Sequence, residues 1–194
     1  DRILSGIADK PTRLETFSRL AQSGKLPNEI LPGDVGPLLE KLDPGVSYAI
    51  VPLLAVRVKQ PYTLSDLRSI LSAYRGSSIG PTALSMVLNG KTLSPSDVAT
   101  LVADSGKAPG DPNLAGAMAA VPGGGAALQQ SVQRTMLLKQ LLPLTEGAFA
   151  VADVITMVEG TQWLARSQVL DALASAGRLP TLSAADRRQL TADL

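Results

Sequence analysis

A repeated helix-start pattern constrains this sequence more than any other feature. At four places a Ser or Thr stands three residues before an acidic residue, and a stripe of apolar residues at helical spacing follows. In such a capping box the hydroxyl accepts the acidic residue's amide, and the carboxylate accepts the amide of the Ser or Thr. The four boxes run from Thr12 to Glu15, Thr63 to Asp66, Ser94 to Asp97 and Ser183 to Asp186. We therefore expect a helix to begin within about two residues of each hydroxyl residue.

Glycine and proline mark the ends of further helices with weaker start signals. These helices are predicted at residues 34–42, 81–88, 112–121, 126–142 and 145–159, and from a cap at Thr161 to Gly177. Residues 46–58 are rich in Val, Ile and Tyr, which favours a strand. Alternation is absent there and no second β-rich run exists to pair with it, so we favour a buried helix interrupted or started at Pro52.

The sequence thus predicts an all-α fold, an irregular multi-helix domain of about eight to ten short helices. Its 194 residues suit one domain or two small ones. We divide it into an N-terminal helical part at 1–110, a Gly/Pro-rich uncharged connection at 111–125 and a C-terminal helical part at 126–194, with one continuous domain as the alternative.

A weak internal echo links residues 20–27 with residues 173–180, and residues 105–109 form a poorer third copy. The echo indicates either repeated helix pairs or a shared helix ending, in which Gly is followed by a cation, an apolar residue and Pro. We favour the helix ending, because the copies have no fixed period.

Cysteine and histidine are both absent, which excludes disulfides, thiolate catalysis, Cys/His zinc sites and imidazole chemistry. With 18 Lys+Arg against 17 Asp+Glu, the net charge of +1 argues against nonspecific nucleic-acid binding. The few aromatic residues are scattered rather than clustered for stacking, and Trp163 is expected in the core beside a snorkelling Arg166. We expect no cofactor, no metal and no nucleic-acid partner.

Three loop motifs resemble ligand sites without completing them. Gly90, Lys91 and Thr92 resemble the end of a phosphate-binding loop, but Ser85 stands where that loop needs a glycine. The glycine triplet 123–125 lacks a nucleotide-binding spacing and is interpreted as a flexible joint. Residues 104–113 resemble a calcium loop, but the third, fifth and twelfth positions counted from Asp104 lack the side-chain oxygens that an EF-hand requires; they are Gly106, Ala108 and Ala115. We therefore expect an inter-helix loop there.

An enzyme without Cys or His would have to rely mainly on carboxylates. Glu15 and Glu146 are expected at helix starts, and Glu159, the least explained glutamate, is expected on the surface. A carboxylate-based helical hydrolase is the main alternative function, and a cleft holding two acids within ~5–10 Å would favour it. A carrier for an apolar ligand is a third option, for which a closed apolar cavity would be the mark.

Charge is scarce: charged residues make up 18% of the chain, against a usual share of about 25%. Residues 44–56, 76–90 and 112–133 contain no charged side chain, and we expect at least one of these segments to face another protein or a lipid boundary. We favour residues 112–133, because glycines and small residues permit close backbone approach. The candidate interaction residues are Ala119, Gly123, Gly124, Gly125 and Ala127.

These observations predict a non-catalytic interaction or assembly subunit. Its partner is expected to be another protein chain or a copy of itself, and an accessory role in a larger membrane-associated complex, with peripheral contact, is a further expectation. The longest apolar run, residues 46–56, is far short of the ~20 residues of a membrane-spanning helix. The first residue is Asp1 rather than Met, so we expect a processed product, an excised piece or an internal start. A processed start would suit export or an organelle, and the compartment stays open.

Overall fold

The computed structural model describes residues 9–25, 28–42, 44–74, 79–105 and 125–191. The chain divides into two compact units. The first unit comprises residues 1–74 and 83–89, and the second comprises residues 75–82 and 90–194. The predicted connection at 111–125 lies outside the described residues except for Gly125, so it stays a prediction.

The described residues form ten α-helices and no strand, which confirms the all-α prediction. The helices are α1 Lys10–Gln22, α2 Pro32–Lys41, α3 Pro44–Arg57, α4 Leu64–Ala73, α5 Ile79–Leu88, α6 Pro95–Ser105, α7 Gly125–Leu141, α8 Val151–Val158, α9 Trp163–Ser175 and α10 Ala184–Thr191. A 3-10 turn, Leu142–Leu144, follows α7 directly.

Three of the four predicted hydroxyl caps are confirmed. The hydroxyls of Thr63, Ser94 and Ser183 accept the amides of the acidic residues three positions later, at 3.1–3.2 Å. At Thr63 and Ser183 the carboxylate also accepts the cap residue's amide, at 2.8 Å in both cases, which completes the box. These short local bonds satisfy amides that a helix N-terminus leaves without partners.

The cap predicted for the first helix is wrong. Asp9 is the N-cap of α1, and its carboxylate accepts the Thr12 amide at 2.9 Å and the Thr12 hydroxyl. Glu15 therefore does not take part in the cap. Its carboxylate accepts a hydrogen bond from Arg19 Nε at 3.1 Å on the exposed face of α1. The start at Lys10 still lies within two residues of Thr12, because Asp9, directly before Lys10 and three residues before Thr12, caps the helix as well as a Thr would.

Residues 46–58 form helix rather than strand, as favoured from the sequence, but Pro52 neither starts nor interrupts it. Helix α3 begins at Pro44 and runs through Pro52 to Arg57. A proline inside a helix removes one backbone donor and crowds the preceding turn. Pro52 lies on the exposed side of α3, where water can satisfy the carbonyl that loses its amide partner.

In the first unit α2 packs closely against α4. A Cβ at Gly36 would stand 2.6 Å from the backbone carbon of Ser69, so only glycine permits this approach. Around the contact lie Val35, Leu38, Leu67 and Ile70, each at most 1% exposed. Helices α1 and α3 pack against α2 as well, which places α2 at the centre of this unit.

In the second unit α7 packs against α6 and α9, and α8 packs against α6. The predicted helix over 145–159 is shorter than expected and begins at Val151. Thr145 instead pairs with Leu93 through one parallel bridge, in which Leu93 donates to the Leu144 carbonyl at 2.8 Å and Glu146 donates to Leu93 at 3.0 Å. The Asp153 carboxylate accepts the Ala150 amide at 2.8 Å, so α8 begins at Val151, six residues later than predicted, and Gly147 before it has a left-handed φ of +92°.

The echo between residues 20–27 and 173–180 is a shared helix ending. Gly24 and Gly177 have φ of +71° and +65°, a left-handed conformation that glycine adopts at little cost. The following residues, Lys25 and Arg178, each donate their amide to the carbonyl five residues earlier at 2.8 Å. This is the Schellman motif, which accounts for the similarity without a structural repeat. The poorer copy at 105–109 lies outside the described residues except for Ser105.

Candidate functional site

The outward face of α3 is the clearest candidate site in the first unit. Five exposed positions recur at helical spacing along one side of the helix, and none carries a charge; they are Tyr48, Ala49, Pro52, Leu53 and Val56. The opposite side is also apolar but fully buried, with Val51 and Leu54 at 0% exposure. We call the five exposed residues the α3 face. Helix α3 therefore has apolar side chains all round, whereas a surface helix normally carries polar residues outside.

The larger side chains of this face are strongly exposed. Leu53 is 45% and Val56 is 51% exposed, and Tyr48 is 38% exposed. Leu31, 41% exposed, lies beside the C-terminal end of α3, because the neighbouring Ile30 amide donates to the Arg57 carbonyl at 3.2 Å. Single exposed apolar residues are ordinary on proteins, but a continuous uncharged stripe is typical of an interaction surface.

The cations at the end of α3 fold back on their own helix. The Arg57 guanidinium donates to the Leu53 carbonyl at 2.9 Å, and the Lys59 ammonium donates to the Val56 carbonyl at 2.8 Å. The Val56 carbonyl is one of those that the helix C-terminus leaves without an intrahelical amide partner, and the charge of both cations suits that end of the helix dipole. The positive charge is thus concentrated at one end of the α3 face.

On the buried side of α3, the Ser47 side chain lies near the Tyr74 hydroxyl. Burial raises the pKa of Tyr74 above its ordinary value, and a hydrogen bond with Ser47 partly opposes this shift. Tyr62 has a raised pKa as well, first because of burial and second because of the nearby Asp66 carboxylate. Both tyrosines are therefore neutral over the physiological pH range, and neither supplies a charged group to the first unit.

The predicted interaction residues fall mostly outside the described residues. Ala119, Gly123 and Gly124 lie there, Gly125 is the first residue of α7, and Ala127 belongs to the first turn of that helix. Their role in docking stays a prediction. Of the three charge-free segments, the structure shows an exposed apolar face on residues 44–56, the segment that sequence reasoning did not favour.

The acidic residues are mainly engaged at helix starts. At the N-termini of four helices an aspartate carboxylate accepts a hydrogen bond from a backbone amide; these aspartates are Asp9, Asp66, Asp153 and Asp186. Glu146 accepts the Thr92 hydroxyl at 3.1 Å, and Glu159 is exposed at the end of α8, as expected. Among the described residues there is no group of three or more acids that could hold a metal ion.

Arg134 is a buried cation of the second unit that sequence reasoning missed. Its guanidinium is 4% exposed and donates from Nη1 to the Met157 carbonyl at 2.7 Å, at the C-terminal end of α8. Burial lowers the pKa of Arg134, and the Asp104 carboxylate partly opposes that shift. The side chain links α6, α7 and α8, so its role is structural. Arg134 is the first charged residue after the uncharged segment 112–133, and nothing in that segment indicates that the Arg134 side chain is buried.

Trp163 is not in the core, and that prediction is wrong. The indole is 64% exposed at the first position of α9. Arg166 does not lie beside a buried Trp. Its guanidinium donates to the Thr161 carbonyl and to the Leu190 carbonyl, both at 3.1 Å. Thr161 is not the cap either, since Gln162 is the N-cap and makes no side-chain capping bond. Arg166 thus makes hydrogen bonds to backbone carbonyls instead of the apolar contact with Trp163 that we expected.

A groove of about 690 Å³ lies along the second unit between α7, the 3-10 turn and α9. Its floor is mainly apolar, with Val132, Met136 and Leu142, and Lys139 and Asp171 line it from facing helices. The groove is open rather than a closed apolar cavity, so it lacks the mark expected of an apolar-ligand carrier. No family model, curated protein or solved structure significantly matches this chain.

Proposed function

We propose that this chain is a non-catalytic helical assembly subunit that docks through the α3 face onto a second copy of itself. The observation that carries the proposal is the uncharged stripe of exposed apolar side chains on α3, with Leu53 and Val56 about half exposed. Burial of such side chains against a partner removes apolar surface from water, which favours association by about 25 cal/mol per Å² before the costs of binding.

Charge placement favours an antiparallel pair of α3 helices. A parallel pair would bring Arg57 and Lys59 of both copies together, and like charges in an interface are costly. In an antiparallel pair these cations lie at opposite ends, and the helix dipoles oppose each other. The face itself holds no charge, and the chain as a whole carries only +1, so little repulsion opposes the pairing.

The side-chain sizes also suit this arrangement. With a two-fold axis at Pro52, Tyr48 of one copy faces Val56 of the other, so the largest side chain meets a smaller one. Ala49 lies one residue from Tyr48 and provides room for Leu53 of the second copy. Such an interface is self-complementary, as two-fold symmetry requires.

The size of the face sets the expected strength. Five partly exposed side chains and Leu31 expose on the order of 300–400 Å² per copy, within the range of the largest apolar patch on a monomer. A stable interface usually buries about 800 Å² per partner. We therefore expect a reversible dimer rather than an obligate one.

The engagement of carboxylates at helix starts supports a non-catalytic role, because the carboxylates of Asp66, Asp153 and Asp186 already accept backbone amides. No described helix is long and apolar enough to cross a bilayer. Contact with a membrane-associated complex stays a prediction.

The proposal is tested by sedimentation equilibrium of the parent, Leu53→Glu and a control, Ser96→Glu, from about 1 to about 500 µM. Ser96 is exposed on α6, so the control adds the same charge away from the α3 face. We expect the parent and the control to shift from one chain towards two, and Leu53→Glu to stay monomeric because docking would bury an unpaired carboxylate.

Two results would contradict the proposal: a parent that is monomeric throughout, or a Leu53→Glu variant that associates like the parent. A monomeric parent that binds vesicles of neutral phospholipid through Leu53 would assign the face to a lipid surface instead.

A further inference from the structure

The groove between α7 and α9 belongs to the second unit alone and is separate from the α3 face. Its fixed polar feature is the Gln168 carboxamide on α9. The Gln168 Oε1 atom accepts the Ser131 hydroxyl at 2.8 Å and the Thr135 hydroxyl at 3.3 Å, both from α7. These two bonds hold the side chain across the helix pair, so its amide nitrogen is a positioned donor at one end of the groove.

Two opposite charges follow one helical turn further along. Lys139 lies one turn beyond Thr135 on α7, and Asp171 lies one turn beyond Gln168 on α9. Both side chains are exposed and line the same groove. Within the described parts of the chain neither forms an ion pair or a hydrogen bond. A cation and an anion thus stand on facing walls above an apolar floor.

The shape of the groove suits a helix better than a small molecule. It extends along α7 from Val132 to Pro143, which is about 16 Å at the rise of an α-helix, or about three turns. The α9 wall contains Ala172 and Ala176, whose small side chains let another backbone approach closely. Small-ligand sites usually enclose most of the ligand, whereas helix-binding sites are open apolar troughs with anchors at helical spacing.

We propose that this groove binds an amphipathic helix of a partner protein, with an acidic residue directed to Lys139 and a basic residue directed to Asp171. The apolar stripe of that helix would cover Val132, Met136 and Leu142, and the two ion pairs would fix its direction. Charges at the rim of an interface contribute mainly to orientation and specificity, which is the role assigned to Lys139 and Asp171 here.

Met136 provides a reporter inside the groove, and Met157, at 0% exposure in the core of the same unit, provides an internal control. The probe is a capped 14-residue alanine-based helical peptide with a leucine stripe flanked by Glu on one side and Lys on the other. A control peptide has Gln in place of both Glu and Lys. Both are titrated into protein labelled with ¹³C at the Met methyl groups, with Met136→Leu used to assign the signal.

We expect a saturable shift of the Met136 methyl signal, little change at Met157, and about tenfold preference for the charged peptide over the Gln control. In the double variant Lys139→Gln/Asp171→Asn that preference should disappear, while the fold is unchanged because both side chains are exposed.

The proposal is overturned if neither peptide shifts Met136 at about millimolar concentration, a weak affinity by any standard for helix docking. It is also overturned if the two peptides bind equally or the double variant keeps the parent's preference. A Met136 shift that depends on protein concentration without peptide would assign the groove to a second copy of this chain and contradict a separate partner.

Discussion

Helices α3 and α7 depart from the usual amphipathic pattern in opposite directions. Helix α3 exposes apolar residues such as Leu53 and Val56, whereas α7 buries polar ones, Ser131 and Arg134. The polar groups of α7 find partners inside their own unit, in the carbonyl of Met157 and the carboxamide of Gln168. The apolar side chains on the outward side of α3 remain exposed to water. The difference shows that the polar groups of α7 take part in the packing of their own unit, whereas the exposed apolar side chains of α3 do not, which supports the proposal that they contact another chain.

The comparison is sharpest between two neighbouring leucines of α3. Leu54 is 0% and Leu53 is 45% exposed. We expect Leu54→Ala to lower the free energy of unfolding by about 3 kcal/mol, through lost burial and the cavity left behind. Leu53→Ala should cost less than about 1 kcal/mol. Urea unfolding followed by circular dichroism measures both, and equal losses would mean that the α3 face belongs to a core.

The polar interior of α7 is tested at Arg134. Arg134→Ala should lower the free energy of unfolding by about 3 kcal/mol, because it removes a charged donor from a buried carbonyl and leaves a cavity. The control is Arg19→Ala. Arg19 pairs with Glu15 on the surface, where the Arg19 side chain is 78% exposed and the Glu15 side chain is 56% exposed. An exposed pair contributes about 0.5 kcal/mol or less. If the two variants unfold at the same urea concentration, the buried arginine is not structural.

The core of the first unit should depend on Gly36 rather than on the α3 face. We expect Gly36→Ala to cost about 2 kcal/mol, because its Cβ would meet the Ser69 backbone and force α2 away from α4. Gly24→Ala is the matched control, since nothing lies within 4 Å of its Cβ. Its left-handed φ of +71° should cost about 1 kcal/mol. A smaller loss at Gly36 than at Gly24, in the same urea titration, would show that the two helices separate easily.

The smallest effect concerns the cap of α10. Hydrogen bonds from the Ser183 hydroxyl and amide lower the pKa of the Asp186 carboxyl below its ordinary 3.8. Its contribution to helix stability is therefore complete above that ordinary value and is lost as the pH falls through the lowered pKa. In a carboxyl NMR titration Ser183→Ala should raise the Asp186 pKa towards 3.8. An unchanged titration would show that the cap does not hold in solution.

Local bonds made most of the fold predictable from the sequence. The hydroxyl caps at Thr63, Ser94 and Ser183 depend on residues only three positions apart, and all three were located correctly. Two errors, at the start of α8 and at Trp163, arose where contacts distant in sequence decide the outcome. The bridge from Leu93 to Thr145 keeps residues before α8 out of the helix, and Gly147, with its left-handed φ of +92°, is a local signal that the prediction did not use.

The candidate site was harder to predict for a different physical reason. The scarcity of charge placed residues 44–56 among three candidate segments without favouring them, because a helix with apolar residues all round has no preferred buried side in its own sequence. Which side of α3 is exposed is decided by packing against α2. The burial of Arg134 is likewise decided by carbonyls of α8, about 23 residues away along the chain.

Cysteine cross-linking tests the central claim most directly, because the natural chain contains no cysteine. In the antiparallel pair residue 52 meets its own counterpart, whereas residue 48 meets residue 56. We expect Pro52→Cys to form a disulfide-linked dimer rapidly under mild oxidation, and Tyr48→Cys to do so only when mixed with Val56→Cys. Exposed Ser96→Cys is the matched control for random collision. If Pro52→Cys cross-links no faster than Ser96→Cys, the α3 face does not join two copies of this chain.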